Sequence, residues 1–133
     1  MSGGVWPLAE PVDEGWHQFR LRAEQAARLS RGYLDAGFVP VIDDIVHDRE
    51  RLAIYEEAVG ELAVVVLAPP FEVVFGRPEY AHYDEPPEWW VRLDADLRDG
   101  LAGVGLWIDT TGMTPEQTVD AIAAEFGLES GAG

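Results

Sequence analysis

The chain has 133 residues, a length typical of one domain with a single hydrophobic core. Hydrophobic residues make up 47% of it, which excludes the composition of a disordered protein. Acidic residues outnumber basic residues 25 to 9, giving a formal net charge of -16. This balance excludes nucleic acid and membrane surfaces as expected partners, because both are anionic.

The chain contains neither cysteine nor lysine. Without cysteine it can form no disulfide, thiolate metal site or cysteine nucleophile. The three histidines, His17, His47 and His82, lack the spacing of metal ligands, so no metal site is predicted from them. No secretory signal and no apolar run of ~20 residues is present, and a cytoplasmic location is expected by default.

The first half of the chain predicts two helices with a strand between them. Apolar residues recur at helical spacing over residues 14–36, which indicates a long amphipathic helix. Residues 38–43 are apolar and rich in β-branched side chains, which predicts a buried strand, although Pro40 cannot donate to a β ladder. Asp48 is placed to cap a second helix that ends near Val59.

The second half predicts two further strands. The expected elements are a strand over 62–68, a short helix over 71–76, a polar loop over 77–87, a helix over 88–101 and a strand over 106–108. Thr114, Pro115 and Gln117 then form the pattern of a capping box, which predicts a last helix with Val119 and Phe126 in its buried stripe. Residues 129–133 are expected to be a frayed tail.

This alternation of helices and strands predicts a single α/β domain over residues 1–133, with a three-layer parallel sheet. Three strands are fewer than such a sheet normally has, so we expect the sheet to be incomplete. Ligands bind at the carboxyl ends of parallel strands, where this chain has Asp43-Asp44 and Asp109-Thr110-Thr111. Paired carboxylates can hold a Mg²⁺ shell or polarise a hydroxyl, but one of them can equally well cap a helix.

Three segments, GFVPVIDDIV, LAVVVLAPPFEVVFGRP and LWIDTTGMTPEQTVDAI, resemble the later strands of P-loop small-molecule kinases, namely the chloramphenicol phosphotransferase-like and zeta-toxin-like kind. The opening, residues 1–37, resembles the stretch that follows the second strand of these kinases. The resemblance covers nearly all of the chain. It implies an ATP-dependent kinase that uses Mg²⁺ and phosphorylates a small-molecule hydroxyl. It also implies the strand order 2-3-1-4-5, from which this chain would lack the central first strand.

The resemblance implies roles for five residues. Asp44 would belong to the water shell of the metal, and Arg77, at the start of the lid, would neutralise charge on the transferring phosphoryl group. These two are the expected catalytic residues. Asp43 would lie beside the nucleotide phosphates, while Thr110 and Thr111 would flank the adenine. The sequence alone favours an ordinary surface arginine at position 77.

The resembling kinases also carry a G-x-x-x-x-G-K-[ST] loop, which a chain without lysine cannot supply. The aspartate that accepts the proton of the substrate hydroxyl has no counterpart either. We therefore expect the C-terminal part of a kinase domain, inactive as these 133 residues and a poor binder of ATP and Mg²⁺. A missing central strand leaves backbone groups unpaired, so the chain should be unstable alone, re-pair its strands or recruit a strand from elsewhere.

Two other interpretations stay open. The chain can be a non-catalytic remnant of such a kinase, serving as an acidic protein-interaction module that associates with partners or with itself through its open sheet. Alternatively, it has an unrelated small α/β fold in which residues 62–68 and 106–108 pair directly. The phosphoryl acceptor is not encoded in any motif of the sequence.

Overall fold

The computed structural model describes residues 12–128, which form a helix-rich mixed α/β structure. The elements of this part of the chain are α1 Val12–Asp35, α2 Arg49–Val59, β1 Val65–Leu67, α3 Phe71–Phe75, α4 Glu88–Gly100, β2 Leu106–Ile108 and α5 Pro115–Phe126, with a 3₁₀ turn at Pro78–Tyr80. The predictions for residues 1–11 and 129–133 lie outside the described residues. Within 12–128, every helix is too short or too polar to cross a membrane.

The described residues group into two compact units, which we describe separately. The first unit consists of residues 12–62 and 88–102, and the second of residues 63–87 and 103–128. In the first unit, α1 packs on α2 around a core of Ala23, Ala27 and Tyr55. The small alanine side chains let the two helices approach closely while Tyr55 fills the space between them. This buried face of α1 confirms the predicted amphipathic helix.

A local hydrogen bond caps the start of α2, and a contact between residues distant in sequence caps the end of α4. Asp48 is the N-cap of α2, and its carboxylate accepts a hydrogen bond from the Arg51 backbone N–H at 2.8 Å, as the sequence predicts. The Arg49 side chain donates to the carbonyl of Gly100 at 3.0 Å, so it caps the last turn of α4. Leu101, just after α4, is almost completely buried.

The second unit is built on a two-stranded parallel sheet. Val65, Val66 and Leu67 of β1 lie opposite Leu106, Trp107 and Ile108 of β2, respectively. The Leu106 N–H donates to the carbonyl of Val64 at 2.9 Å, and the Ala68 N–H donates to the carbonyl of Ile108 at 2.8 Å. The strand predicted over residues 62–68 therefore exists but is shorter, and the strand predicted over 106–108 is confirmed.

Helix α5 begins with the predicted capping box. The Thr114 hydroxyl accepts from the Gln117 N–H at 3.1 Å, and the Gln117 side chain accepts from the Thr114 N–H at 2.9 Å. Gly127 ends the helix in the left-handed conformation, with φ of 65°. The prediction that Val119 belongs to a buried stripe is wrong, because this side chain is 57% exposed.

The strand predicted over residues 38–43 is wrong. Residues 38–47 belong to no helix or strand, and Val39 and Val41 are 78% and 92% exposed. An apolar, β-branched run forms a strand only where a neighbouring strand and packed faces are available, and Pro40 also removes one donor. The sheet of residues 12–128 therefore has two strands rather than three, and the mixed α/β class is the part of the predicted fold that holds.

Candidate functional site

In the first unit, the Asp44 carboxylate is held by four donors. Its Oδ2 accepts from Arg51 Nε at 2.7 Å and from the Tyr55 hydroxyl at 2.6 Å. Its Oδ1 accepts from Arg51 Nη2 at 3.1 Å and from the Ile45 backbone N–H at 2.8 Å. Four hydrogen bonds use the lone-pair sites of a carboxylate, so Asp44 has no free acceptor.

Arg51 connects Asp44 to α1. Its Nη1 donates to the backbone carbonyl of Phe19 at 2.8 Å, and its guanidinium carbon lies 3.6 Å from the centroid of the Phe19 ring. This stacking is a cation–π contact, which is stronger at a desolvated site such as this one. One arginine on α2 thus contacts both α1 and the irregular segment that joins the two helices.

The surroundings of Asp44 and Tyr55 shift both pKa values. Burial raises the pKa of the Asp44 carboxyl, but the hydrogen bonds from Arg51 and Tyr55 outweigh it, and the pKa lies below its ordinary value. Burial, together with the hydrogen bond to Asp44, raises the pKa of the Tyr55 hydroxyl. At neutral pH the site therefore holds an ionised aspartate and a neutral tyrosine.

A pocket of about 390 Å³ adjoins this ion pair. Phe19 and Ala26 of α1, Ile42 and Asp43 of the connecting segment, and the Asp44 ion pair line it. Asp43 is exposed, whereas Asp44 is half-buried. The structure thus brings the two predicted aspartates to one pocket, with different environments.

In the second unit, a tight turn follows β2. Asp109 Oδ1 accepts from the backbone N–H of Thr111 at 2.9 Å and from its hydroxyl at 2.6 Å. The Met113 N–H donates to the Thr110 carbonyl at 3.0 Å, and Gly112 has a φ of 73°, which favours glycine. Thr110 and Thr111 therefore lie at the carboxyl end of the parallel sheet, and the Asp109 side chain holds Thr111.

Arg77 also lies in the second unit, between α3 and the 3₁₀ turn. It is exposed, and its backbone N–H donates to the Val74 carbonyl at 3.1 Å. The five residues named from the sequence thus belong to different units, with Asp43 and Asp44 in the first and Arg77, Thr110 and Thr111 in the second. Their catalytic and nucleotide-binding roles stay predictions.

The residues present do not fit a bound Mg²⁺. Asp44 would have to lose one of its four donors to enter a magnesium shell. Over residues 12–128, no group of three or more histidine, aspartate or glutamate side chains could hold a metal ion. The chain also lacks a lysine that could reach nucleotide phosphates.

Sequence reasoning missed Arg51 and Tyr55 as the partners of Asp44. A signal was present, because the two residues are four apart on α2 and Arg51 is next to the predicted apolar position Leu52. An arginine at the border of a buried stripe needs a carboxylate or a carbonyl as its partner. The preceding segment supplies both candidates in Asp43 and Asp44, and the hydrogen bonds select Asp44.

No protein-family model matches the chain, no curated protein matches it significantly, and no solved structure matches its fold significantly.

Proposed function

We propose that the chain is the C-terminal part of a P-loop kinase-type domain that, when complete, transfers a phosphoryl group from ATP to a hydroxyl of a small molecule. The observation that carries the proposal is the pairing of β1 with β2. These strands are direct parallel neighbours, as the fourth and fifth strands are in the order 2-3-1-4-5, and the Asp109–Thr111 turn stands at their carboxyl end. Ligands of open parallel sheets bind at this end.

The proposal assigns different roles to the turn after β2 and to Asp44. The turn at Thr110 and Thr111 would lie beside an adenine, while Asp44 binds Arg51, which contacts α1, rather than a metal. The lysine-bearing loop and the central strand would come from sequence other than these 133 residues. As it stands, the chain is inactive, and Arg77 acts on a phosphoryl group only in the complete domain.

Sequencing the coding DNA in frame upstream of Met1 tests the proposal. A strand pattern followed by G-x-x-x-x-G-K-[ST] is the expected result, because this loop binds the β and γ phosphates. A stop codon close to Met1 contradicts the proposal and favours an unrelated small α/β fold, in which β1 and β2 would pair in the same way. Calorimetric titration of the 133-residue chain with Mg-ATP should show no binding at millimolar nucleotide.

A second candidate function is a non-catalytic, acidic protein-interaction module. The full hydrogen bonding of Asp44 supports its non-catalytic character, since a carboxylate with four donors supports structure rather than chemistry. Sedimentation equilibrium tests the form of this candidate in which the chain binds itself through its sheet. A concentration-dependent dimer supports self-association, and a monomer at all concentrations excludes it.

A further inference from the structure

One edge of the sheet has backbone groups that no strand among residues 12–128 uses. In a parallel ladder, successive residues direct their N–H and C=O groups to alternate sides. The carbonyl of Val64 and the N–H of Ala68 bond to β2, so Val65 and Leu67 direct their backbone groups to the other side. The sheet formed by the described residues has only two strands, and this edge of β1 therefore has no strand on it.

The edge of β1 is better suited to strand addition than the edge of β2. Residues 62–68 are all apolar, and neither a lysine nor a proline, two residue types that block edge pairing, lies within them. Leu67 is 53% exposed, so an apolar side chain is available beside the free backbone groups. The residue before β2, Gly105, has a φ of 68°, so the chain is not extended where the edge of β2 begins.

The charge of the second unit indicates which partner fits this edge. Its described residues include one arginine, Arg77, and eight carboxylates: Glu72, Glu79, Asp84, Glu85, Asp109, Glu116, Asp120 and Glu125. A basic segment is attracted to such a surface, whereas a second copy of the chain, with its own net charge of -16, is repelled.

We propose that the open edge of β1 binds an extended segment of another protein, rich in β-branched residues and flanked by lysine or arginine. Main-chain hydrogen bonds to Val65 and Leu67 would supply affinity, and the flanking cations would supply selectivity. The inference deepens the second candidate function and rests on it, because in the kinase proposal the central strand would occupy this same edge of β1.

Three synthetic peptides of about ten residues test the proposal with the full chain, since this length spans a typical strand. Each has the same valine and threonine centre, and the ends carry lysines, serines or glutamates. Fluorescence anisotropy should show binding of the lysine peptide, with the glutamate peptide about tenfold weaker at low salt and the difference reduced by added salt. Amide hydrogen exchange at Val65 and Leu67 should slow when the lysine peptide binds.

Methylation of peptide nitrogens provides the matched control. Methyl groups on every second residue in one register block the hydrogen bonds to β1, whereas methyl groups in the other register leave these bonds intact. Only the first set of methyl groups should abolish binding. Val65→Pro should also abolish binding, because the Val65 N–H points away from β2 and its loss leaves the β1–β2 bonds in place.

The outcomes separate this inference from the kinase proposal. Equal binding of all three peptides overturns the charge selectivity, and no binding, or binding insensitive to methylation register, overturns the docking edge. Formation of a dimer that displaces the lysine peptide also overturns it, since the occupant is then a second copy. None of these results bears on the upstream coding sequence, which tests the kinase proposal on its own.

Discussion

The Arg51 guanidinium binds the Asp44 carboxylate with two hydrogen bonds, from Nε to Oδ2 at 2.7 Å and from Nη2 to Oδ1 at 3.1 Å. The side chains are 5% and 16% exposed, respectively, so this ion pair is largely removed from water. A buried ion pair contributes little more stability than a pair of apolar side chains. Removing one partner, however, leaves the other charge buried and unpaired. The stability of the first unit should therefore depend on both residues being present.

Substitution Arg51→Ala should lower the free energy of unfolding by about 3 kcal/mol, because it leaves Asp44 ionised and half-buried without its partner. Urea unfolding followed by tryptophan fluorescence measures the loss. Arg31→Ala is the matched control, since the ion pair of Arg31 with Asp35 is exposed and should contribute less than about 0.5 kcal/mol. Equal losses in the two variants would contradict a structural role for Arg51.

The stability that Asp44 contributes should disappear in acid. Its folded-state pKa lies below the unfolded value of 3.8, because the hydrogen bonds from Arg51 and Tyr55 exceed the effect of burial. A depressed pKa stabilises the fold above the unfolded pKa, and this contribution is lost as the pH falls through the folded pKa. The gap in unfolding free energy between the native chain and Asp44→Asn should therefore be constant near neutral pH and narrow below about pH 4. A gap that stays the same into strong acid would show that the charge on Asp44 does not matter.

Gly105 should be essential for the β1–β2 pairing. A Cβ at this position would lie 2.3 Å from the Val64 carbonyl oxygen, the group that accepts the first inter-strand bond from Leu106. Gly105→Ala should thus break the register and remove amide-exchange protection at β1 and β2. Gly103→Ala is the control, because its φ of 74° imposes a similar backbone strain of about 1 kcal/mol but its Cβ meets open space. Preserved protection in Gly105→Ala would refute the prediction.

The capping box should set the stability of α5. Thr114→Ala removes the acceptor for the Gln117 N–H and should destabilise the helix by about 1 kcal/mol, seen as faster amide exchange in its first turn. Thr118→Ala is a suitable comparison, since Thr118 only bonds back to the Thr114 carbonyl and alanine has the better helix propensity. If both variants exchange alike, the cap is not what starts the helix.

The elements that could be predicted from the sequence are those with local causes. Asp48 and Thr114 each cap a helix through bonds that span three residues, so their patterns are visible in a short stretch of sequence. Residues 38–43 failed because a strand depends on a neighbour distant in sequence, which no local pattern reports. The sequence identified Asp43 and Asp44 as residues of the candidate site, but it did not predict that their side chains have different environments. Only the fold determines that Asp44, and not Asp43, meets the guanidinium of Arg51 and the hydroxyl of Tyr55.

The Phe19 carbonyl accepts a hydrogen bond from Arg51 Nη1, and this contact restricts which basic residue position 51 can hold. Position 51 requires a planar, forked side chain that hydrogen-bonds to a carboxylate and to a peptide oxygen and stacks on an aromatic ring. A spherical ammonium on a flexible stem cannot satisfy these three neighbours together. Arginine at position 51 is therefore a geometric requirement. Arg51→Lys would be a disruptive rather than a conservative change.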